Sequence, residues 1–213
     1  FMERAVRYPL DVGEGPGAVH HLVDLRDRAA RHATSEAVEG VVDRLVAAPT
    51  ARAIVPEVGL NVAGATPYAE SPAAVAAVEG RITRTVSGIR PNRGVRFGAS
   101  SHVARFLLSA REFVPAYRFA ANCRYDDRVE RALEGLDWTV ASFDRGREPT
   151  ADEEASTMGW GAKRAFEDAS ETPPVAVVDD GDVGKEPMTR VLAADAETLG
   201  DRLLALAAAV AGA

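Results

Sequence analysis

The side chains best suited to chemistry in this chain fall in three short segments. The richest is Arg96-Phe97-Gly98-Ala99-Ser100-Ser101-His102-Val103-Ala104-Arg105. An extended stretch ends at Phe97, small residues turn the chain, and an amphipathic run follows. Val103, Phe106, Leu107 and Ala110 share one helical face; His102, Arg105 and Ser109 share the other, with Ser101 beside them. A strand–turn–helix of this kind aims backbone N–H groups and hydroxyls at one spot, with the positive helix end behind them, and so predicts a phosphate cradle. A capped surface helix with an exposed His and Arg fits the same spacing. The second segment is Glu79-Gly80-Arg81, where an apolar stretch enters a strand. Arg81 has the fork geometry to clamp a diphosphate, and equally pairs with Glu79 in solvent. The third is Val175 to Pro187, a buried strand ending in Asp179-Asp180 and a loop with Gly181, Gly184 and Lys185. Ligands bind at such strand ends in α/β proteins. Lys185 suits a phosphate, and Asp179 or Asp180 a hydrated magnesium ion. An acidic turn with a surface lysine fits too, and the spacing is not that of a P-loop.

Other candidates are weaker. His20-His21 stands apart from other ligand types and reads as helix surface. Cys123, between Asn122 and Arg124, is a half-buried thiol or a nucleophile without local support. Trp160 can stack on a flat heterocycle or pack in the core.

The elements that must position these groups alternate. Ser35 to Val46 has a helical stripe of Val38, Val41, Val42, Leu45 and Val46, with Thr34-Ser35 as the expected cap and Pro49 as the stop. Before it, Gly13 to Gly17 breaks the chain, and Ala18 to His32 is a charged helical connector. The start, Phe1 to Tyr8, resembles the end of a helix belonging to something longer. Strands are predicted at Val58–Ala63, Ile82–Val86, Val95–Phe97, Arg118–Asn122, Trp138–Phe143, Val175–Val178 and Met188–Leu192. Helices are predicted at 101–113, 126–136, 155–169 and 196–211. This order argues an α/β architecture.

Composition narrows the classes. The chain has 213 residues, a formal charge of −7 and one cysteine, which excludes an internal disulfide or a cysteine cage for zinc. The acidic balance argues against nucleic acid or anionic membrane as partners. No apolar run approaches the ~20 residues of a bilayer span, and no basic hydrophobic leader is present, so a cytoplasmic protein is expected. Only Lys163 and Lys185 are lysines among 25 basic residues, so a lysine stands out where a compact charge is wanted.

Five ordered segments together resemble one family, the archaeal-type thiamine-phosphate synthase (ThiN) domain. They are Val55-Pro56-Glu57-Val58-Gly59-Leu60-Asn61, Ala77-Val78-Glu79-Gly80-Arg81-Ile82, Phe97 to Arg105, Asn122-Cys123-Arg124-Tyr125, and Gly184-Lys185-Glu186-Pro187-Met188. The stretch Gly15 to Leu22 is similar to the end of hydroxymethylpyrimidine kinases, to which such domains are often fused, although Gly17-Ala18 interrupts the usual run. The resemblance implies two parts: residues 1–34 as a kinase remnant and connector, and residues 35–213 as the synthase domain. It also implies a three-layer α/β/α fold with a mixed sheet, like class II aldolases.

The implied reaction joins hydroxymethylpyrimidine diphosphate to a thiazole phosphate, giving thiamine phosphate and pyrophosphate. Arg81 and His102 match the family's catalytic positions. Gly98, Ser100, Ser101, Arg105, Asn122, Asp180 and Lys185 are then expected to hold the phosphorylated substrates, with magnesium as cofactor on unassigned ligands. The same likeness allows a homodimer and implies a kinase domain upstream in the full-length chain. Related domains behind helix-turn-helix modules sense thiamine phosphate without catalysis. The presence of Arg81 and His102, and of a kinase-like stretch in place of a DNA-reading helix pair, favours the enzyme. A metal-dependent aldolase would want several histidines, and His102 stands alone after residue 34.

Overall fold

Alternation of side chains along short strands decides the architecture of this protein, whose computed structural model describes residues 16–145, 157–167 and 172–212. The strands are β1 (Asn61–Ala65), β2 (Val75–Val78), β3 (Ile82–Arg84), β4 (Ile89–Pro91), β5 (Val95–Phe97), β6 (Phe119–Arg124), β7 (Val140–Ser142), β8 (Ala176–Asp179) and β9 (Met188–Ala193). The helices are α1 (Pro16–Ala47), α2 (Ser101–Phe113), α3 (Asp127–Glu134), α4 (Thr157–Glu167) and α5 (Ala196–Gly212). Seven strands form one sheet in the order β5-β2-β1-β6-β9-β8-β7, and β3 and β4 form a separate hairpin. Within the large sheet only β7 and β8 run parallel; every other pairing is antiparallel.

Each strand sends alternate residues to opposite faces, which is what allows helices on both sides. On one face Val62, Ala76, Phe119, Ala121, Val178 and Val191 join Val38, Val41 and Leu45 of α1 and Leu199, Leu203 and Leu206 of α5. On the other, Ala63, Ala77, Ala120, Val177 and Leu192 meet Val103, Phe106 and Leu107 of α2 and Ala162 and Phe166 of α4. The three layers expected from the sequence are present, with a mixed sheet. Fully burying each Leu or Phe contributes roughly 1.5–3 kcal/mol, so the two apolar layers hold the sheet from both sides. Gly64 shows how closely α1 lies on β1: a Cβ there would come within 2.7 Å of a Val38 methyl and 2.8 Å of the Phe119 ring. Cys123 is fully buried in β6, and burial pushes its thiol well above the ordinary range. No helix among the described residues is long and apolar enough to cross a membrane.

Several boundaries differ from expectation. The helix start expected at Thr34-Ser35 is absent, because α1 runs unbroken through it. Thr34 is buried and its hydroxyl donates back to the Ala30 carbonyl at 2.7 Å, the mid-helix use of a threonine rather than a cap. The boundary drawn between residues 34 and 35 therefore falls inside a helix. Arg31, before that point, places its guanidinium 3.9 Å over the Phe97 ring and donates to the Ala73 carbonyl at 3.3 Å. The strand expected from Val58 begins at Asn61, since Val58 lies in a turn; the strand expected to Val86 ends at Arg84 and hairpins into β4, which Pro91 concealed in the sequence. Phe1 to Gly15 lie outside the described residues, as do the side chains of His20 and His21.

Candidate active site

Cross-strand register lays down the floor of the site. Asn61 of β1 faces Asn122 of β6, Asn122 faces Arg190 of β9, and Arg190 faces Val177 of β8. Two residues further along the same face the row is Ala63, Ala120 and Leu192. The surface under α2 thus changes from apolar to polar in one pleat. The Asn61 amide is spent on structure: Nδ2 donates to the Val78 carbonyl and Oδ1 accepts the Val78 N–H, both at 3.0 Å. Asn122 Oδ1 accepts the Asn61 N–H at 2.7 Å.

Asp179, two residues on from Val177, shares that face and is 1% exposed. Its carboxylate accepts from Arg145 Nη2 at 3.1 Å and from the Gly181 N–H at 3.0 Å, and pairs with Arg190 Nη1. Arg145 Nε lies 2.6 Å from Oδ1, off the hydrogen-bond direction. The Arg190 guanidinium also stands 5.1 Å from the Phe106 ring centroid and 5.5 Å from that of Phe143, within cation–π range. Burial pulls Arg190 below its ordinary value, and Asp179 opposes that pull.

The roof is the start of α2. Ser100 occupies the N-cap position but its side chain makes no capping bond, and no acid stands in the first turn. Helix α3 is the contrast: Asp126 caps it by accepting from the Arg128 and Val129 N–H groups. The positive end of α2 is therefore left available to an anion. At the rim, Gly80 and Arg81 both take the left-handed conformation, with φ of 75° and 67°. That turn carries Arg81 across to the Val58 carbonyl, which accepts from Nη1 at 2.5 Å. Glu79 pairs with Arg96 at 3.0 Å and Arg93 at 3.7 Å, so the alternative Glu79–Arg81 pair does not form. The rim continues into the loop before β9, which meets the same Val58 backbone. Asp182 and Lys185 exchange backbone hydrogen bonds at 3.0 and 2.7 Å, and the Glu186 carboxylate accepts the Glu57 and Val58 N–H groups at 2.7 and 3.1 Å.

Floor, roof and rim enclose a cleft of about 650 Å³. Of the residues singled out in the sequence, Arg81, Ser100, Ser101, His102, Arg105, Asn122 and Lys185 all line it. Gly98 does not: it turns the chain at φ 75° with its N–H given to the Val75 carbonyl. Asp180 does not either. It follows the last residue of β8 and is exposed to solvent, where its charge adds to the burial and the Glu130 charge that raise Tyr125. Asp179, offered above for magnesium, gives its carboxylate to two guanidiniums and the Gly181 N–H. Trp160 packs edge-on against Phe143 at 6.1 Å, its core use. Sequence reading missed Arg145, Arg190 and Asn61. Arg190 had a signal, a cation at an inward position of a short buried strand; Arg145 had none.

Electrostatics centre on His102. Burial first, then Arg81, Arg105, Arg190 and Arg145, pull its pKa below the ordinary 6.5. The imidazole is therefore neutral at neutral pH, with four guanidiniums near it.

A family model described as thiamine-phosphate synthase ThiN matches residues 37–205. The bifunctional thiamine biosynthesis protein ThiDN of Methanocaldococcus jannaschii is 40% identical over 144 residues, 67% of this chain and 33% of that protein. The chain thus spans a third of that relative. Thiamine-phosphate synthase ThiN of Methanothermobacter thermautotrophicus is 37% identical over 145 residues, 67% of this chain and 76% of that one. Among solved structures, the C-terminal domain of a phosphomethylpyrimidine kinase superposes with a TM-score of 0.77 at 32% identity, covering 83% of this chain and 99% of that domain. With the family model matching over most of its length, this chain belongs to the thiamine-phosphate synthase ThiN family.

Proposed function

We propose that this chain is a transferase of thiamine biosynthesis that joins hydroxymethylpyrimidine diphosphate to a thiazole phosphate, releasing pyrophosphate. The observation that carries the reading is the gathering of Arg81, His102, Arg105, Arg145, Lys185 and Arg190 around one cleft in a ThiN-family chain. In this reaction the thiazole nitrogen forms a bond to the pyrimidine's methylene carbon, and the carbon–oxygen bond to the diphosphate breaks. The electron pair leaves with pyrophosphate, and the ring nitrogen becomes cationic. Negative charge therefore grows on the diphosphate, and donors fixed around it lower the barrier more than binding alone would. In this reading Arg81 and the first turn of α2 receive that charge. His102, neutral in the free site, gives a hydrogen bond to the leaving oxygens, and an arriving diphosphate offsets the surrounding guanidiniums and draws a proton onto the ring.

The expected magnesium does not fit a resident site. Asp179 is committed to arginines and Glu186 to two N–H groups, and no cluster of three His, Cys, Asp or Glu that could hold a metal occurs among the described residues. Likeness to the bifunctional relative and to the kinase's C-terminal domain supports a kinase domain upstream in the full-length protein.

The deciding experiment incubates the chain with both substrates and follows thiamine phosphate. Turnover is expected. Tight binding of thiamine phosphate without turnover would instead establish the sensing role.

A further inference from the structure

The cleft holds its cations in two sets that are built differently. Arg81, His102 and Arg105 stand at roof and rim within reach of solvent, although the cleft partly desolvates the His102 ring. Arg145 and Arg190 lie at the floor, 8% and 5% exposed, and both are fixed from behind by Asp179. That carboxylate removes rotamer freedom from two long side chains before any ligand arrives, so binding need not spend free energy ordering them. A buried ion cluster is a weak source of stability, and apolar side chains would fill the floor at least as well. Its place in the wall of an anion-binding cleft calls for a functional reason.

Rigid floor and accessible roof suit different anions. The diphosphate gains charge and departs, which needs donors that solvent reaches. The acceptor's phosphate monoester is unchanged by the reaction. It needs only an anchor that keeps the ring nitrogen in line with the breaking bond, and pre-fixed guanidiniums supply one.

We propose that Arg145 and Arg190 form a separate subsite for the phosphate monoester of the acceptor substrate, and that Asp179 is the positioning residue for both; this rests on the synthase reading above. Steady-state kinetics on the full chain test it with Arg145→Lys, Arg190→Lys and Asp179→Asn. The KM for thiazole phosphate rises about tenfold or more, the scale of losing one charge-assisted bidentate contact, while the KM for the diphosphate stays within about twofold. A rise confined to the diphosphate, or equal in both substrates, overturns the subsite. A change in kcat with neither KM moved in Asp179→Asn overturns the positioning role. Because Arg190 and Asp179 sit within the sheet, Arg145→Lys, in the turn after β7, is the deciding variant, its fold checked by circular dichroism.

Thermal melts in inorganic phosphate keep the two readings apart. Phosphate protects the wild type and protects Arg145→Lys less; equal protection of both overturns the subsite whatever the turnover. A wild type that lacks turnover, while phosphate protection is still lost in Arg145→Lys, overturns the synthase reading and upholds the anion subsite.

Discussion

Arg81 holds a backbone conformation that costs a residue with a Cβ about 1–2 kcal/mol, and Gly80 before it shares the left-handed turn. The strain is what carries the guanidinium over to the Val58 carbonyl and the cleft. Replacement should therefore separate fold from function. Arg81→Gly is expected to be about 1 kcal/mol more stable than Arg81→Ala, because glycine alone relaxes at that φ. Both should lose at least ~100-fold in turnover, as should His102→Ala, the scale of removing a charge-stabilising donor. Near-normal turnover in any of these would withdraw the corresponding residue. The lowered pKa of His102 gives a second test, and its sign is fixed. In the free site the ring protonates only below 6.5, since burial and four arginines disfavour the cation. A bound pyrophosphate favours the cation and raises that pKa. Between the two values binding must take up a proton, so affinity for pyrophosphate should strengthen as pH falls through this window and level off below it. Calorimetry in buffers of different ionisation enthalpy measures the uptake, which His102→Gln should abolish; unchanged uptake in that variant would place the proton elsewhere.

Among the elements, α1 departs most from what its residues suggested. A cap-like Thr34-Ser35 pair ahead of a clean apolar stripe reads as a helix start, yet the preceding Ala-rich, charged stretch is itself helix-forming and nothing between them breaks the ladder. The resemblance makes residues 1–34 a remnant and connector outside the synthase domain. In the structure Arg31 lies over Phe97, the last residue of the strand that leads into the Gly98–Ser101 turn. Deleting residues 1–34 should accordingly lower the melting temperature, by about 2–4 °C for each kcal/mol lost, and reduce turnover through a looser turn. Arg31→Ala alone should cost about 0.5–1 kcal/mol, the worth of an exposed cation–π contact. A truncated chain with unchanged melting temperature and rate would show that the helix before Ser35 only projects from the domain. Local pattern was enough to place α2, its buried stripe and the roof of the cleft, because those depend on residues within a few positions of one another. The floor was not legible in that way: Asn61, Asn122 and Arg190 become neighbours only through a register spanning β1, β6 and β9. No window of sequence contains that row.

At the scale of the whole molecule, the strand–helix alternation announced an α/β architecture, the family resemblance supplied its three layers, and neither gave the direction of each strand. Helical crossovers argue parallel pairing, whereas here chain segments such as the one from β1 to β2 return directly, and antiparallel neighbours result. What the layers enclose matters as much as what they support. Cys123, the only cysteine in the chain, sits with no exposed surface on a strand flanked by β1 and β9 and covered by helices. Reagent cannot reach that sulfur by local fraying of an edge; the sheet itself must part. The thiol is thus a built-in clock for opening of the sheet, and its rate of alkylation under native conditions should track the global unfolding equilibrium rather than loop motion. Any anion that binds the folded state should slow the clock by the factor 1 + [L]/Kd. Trapping rates measured against phosphate and pyrophosphate would then read the affinity of each, with no label added and no turnover required.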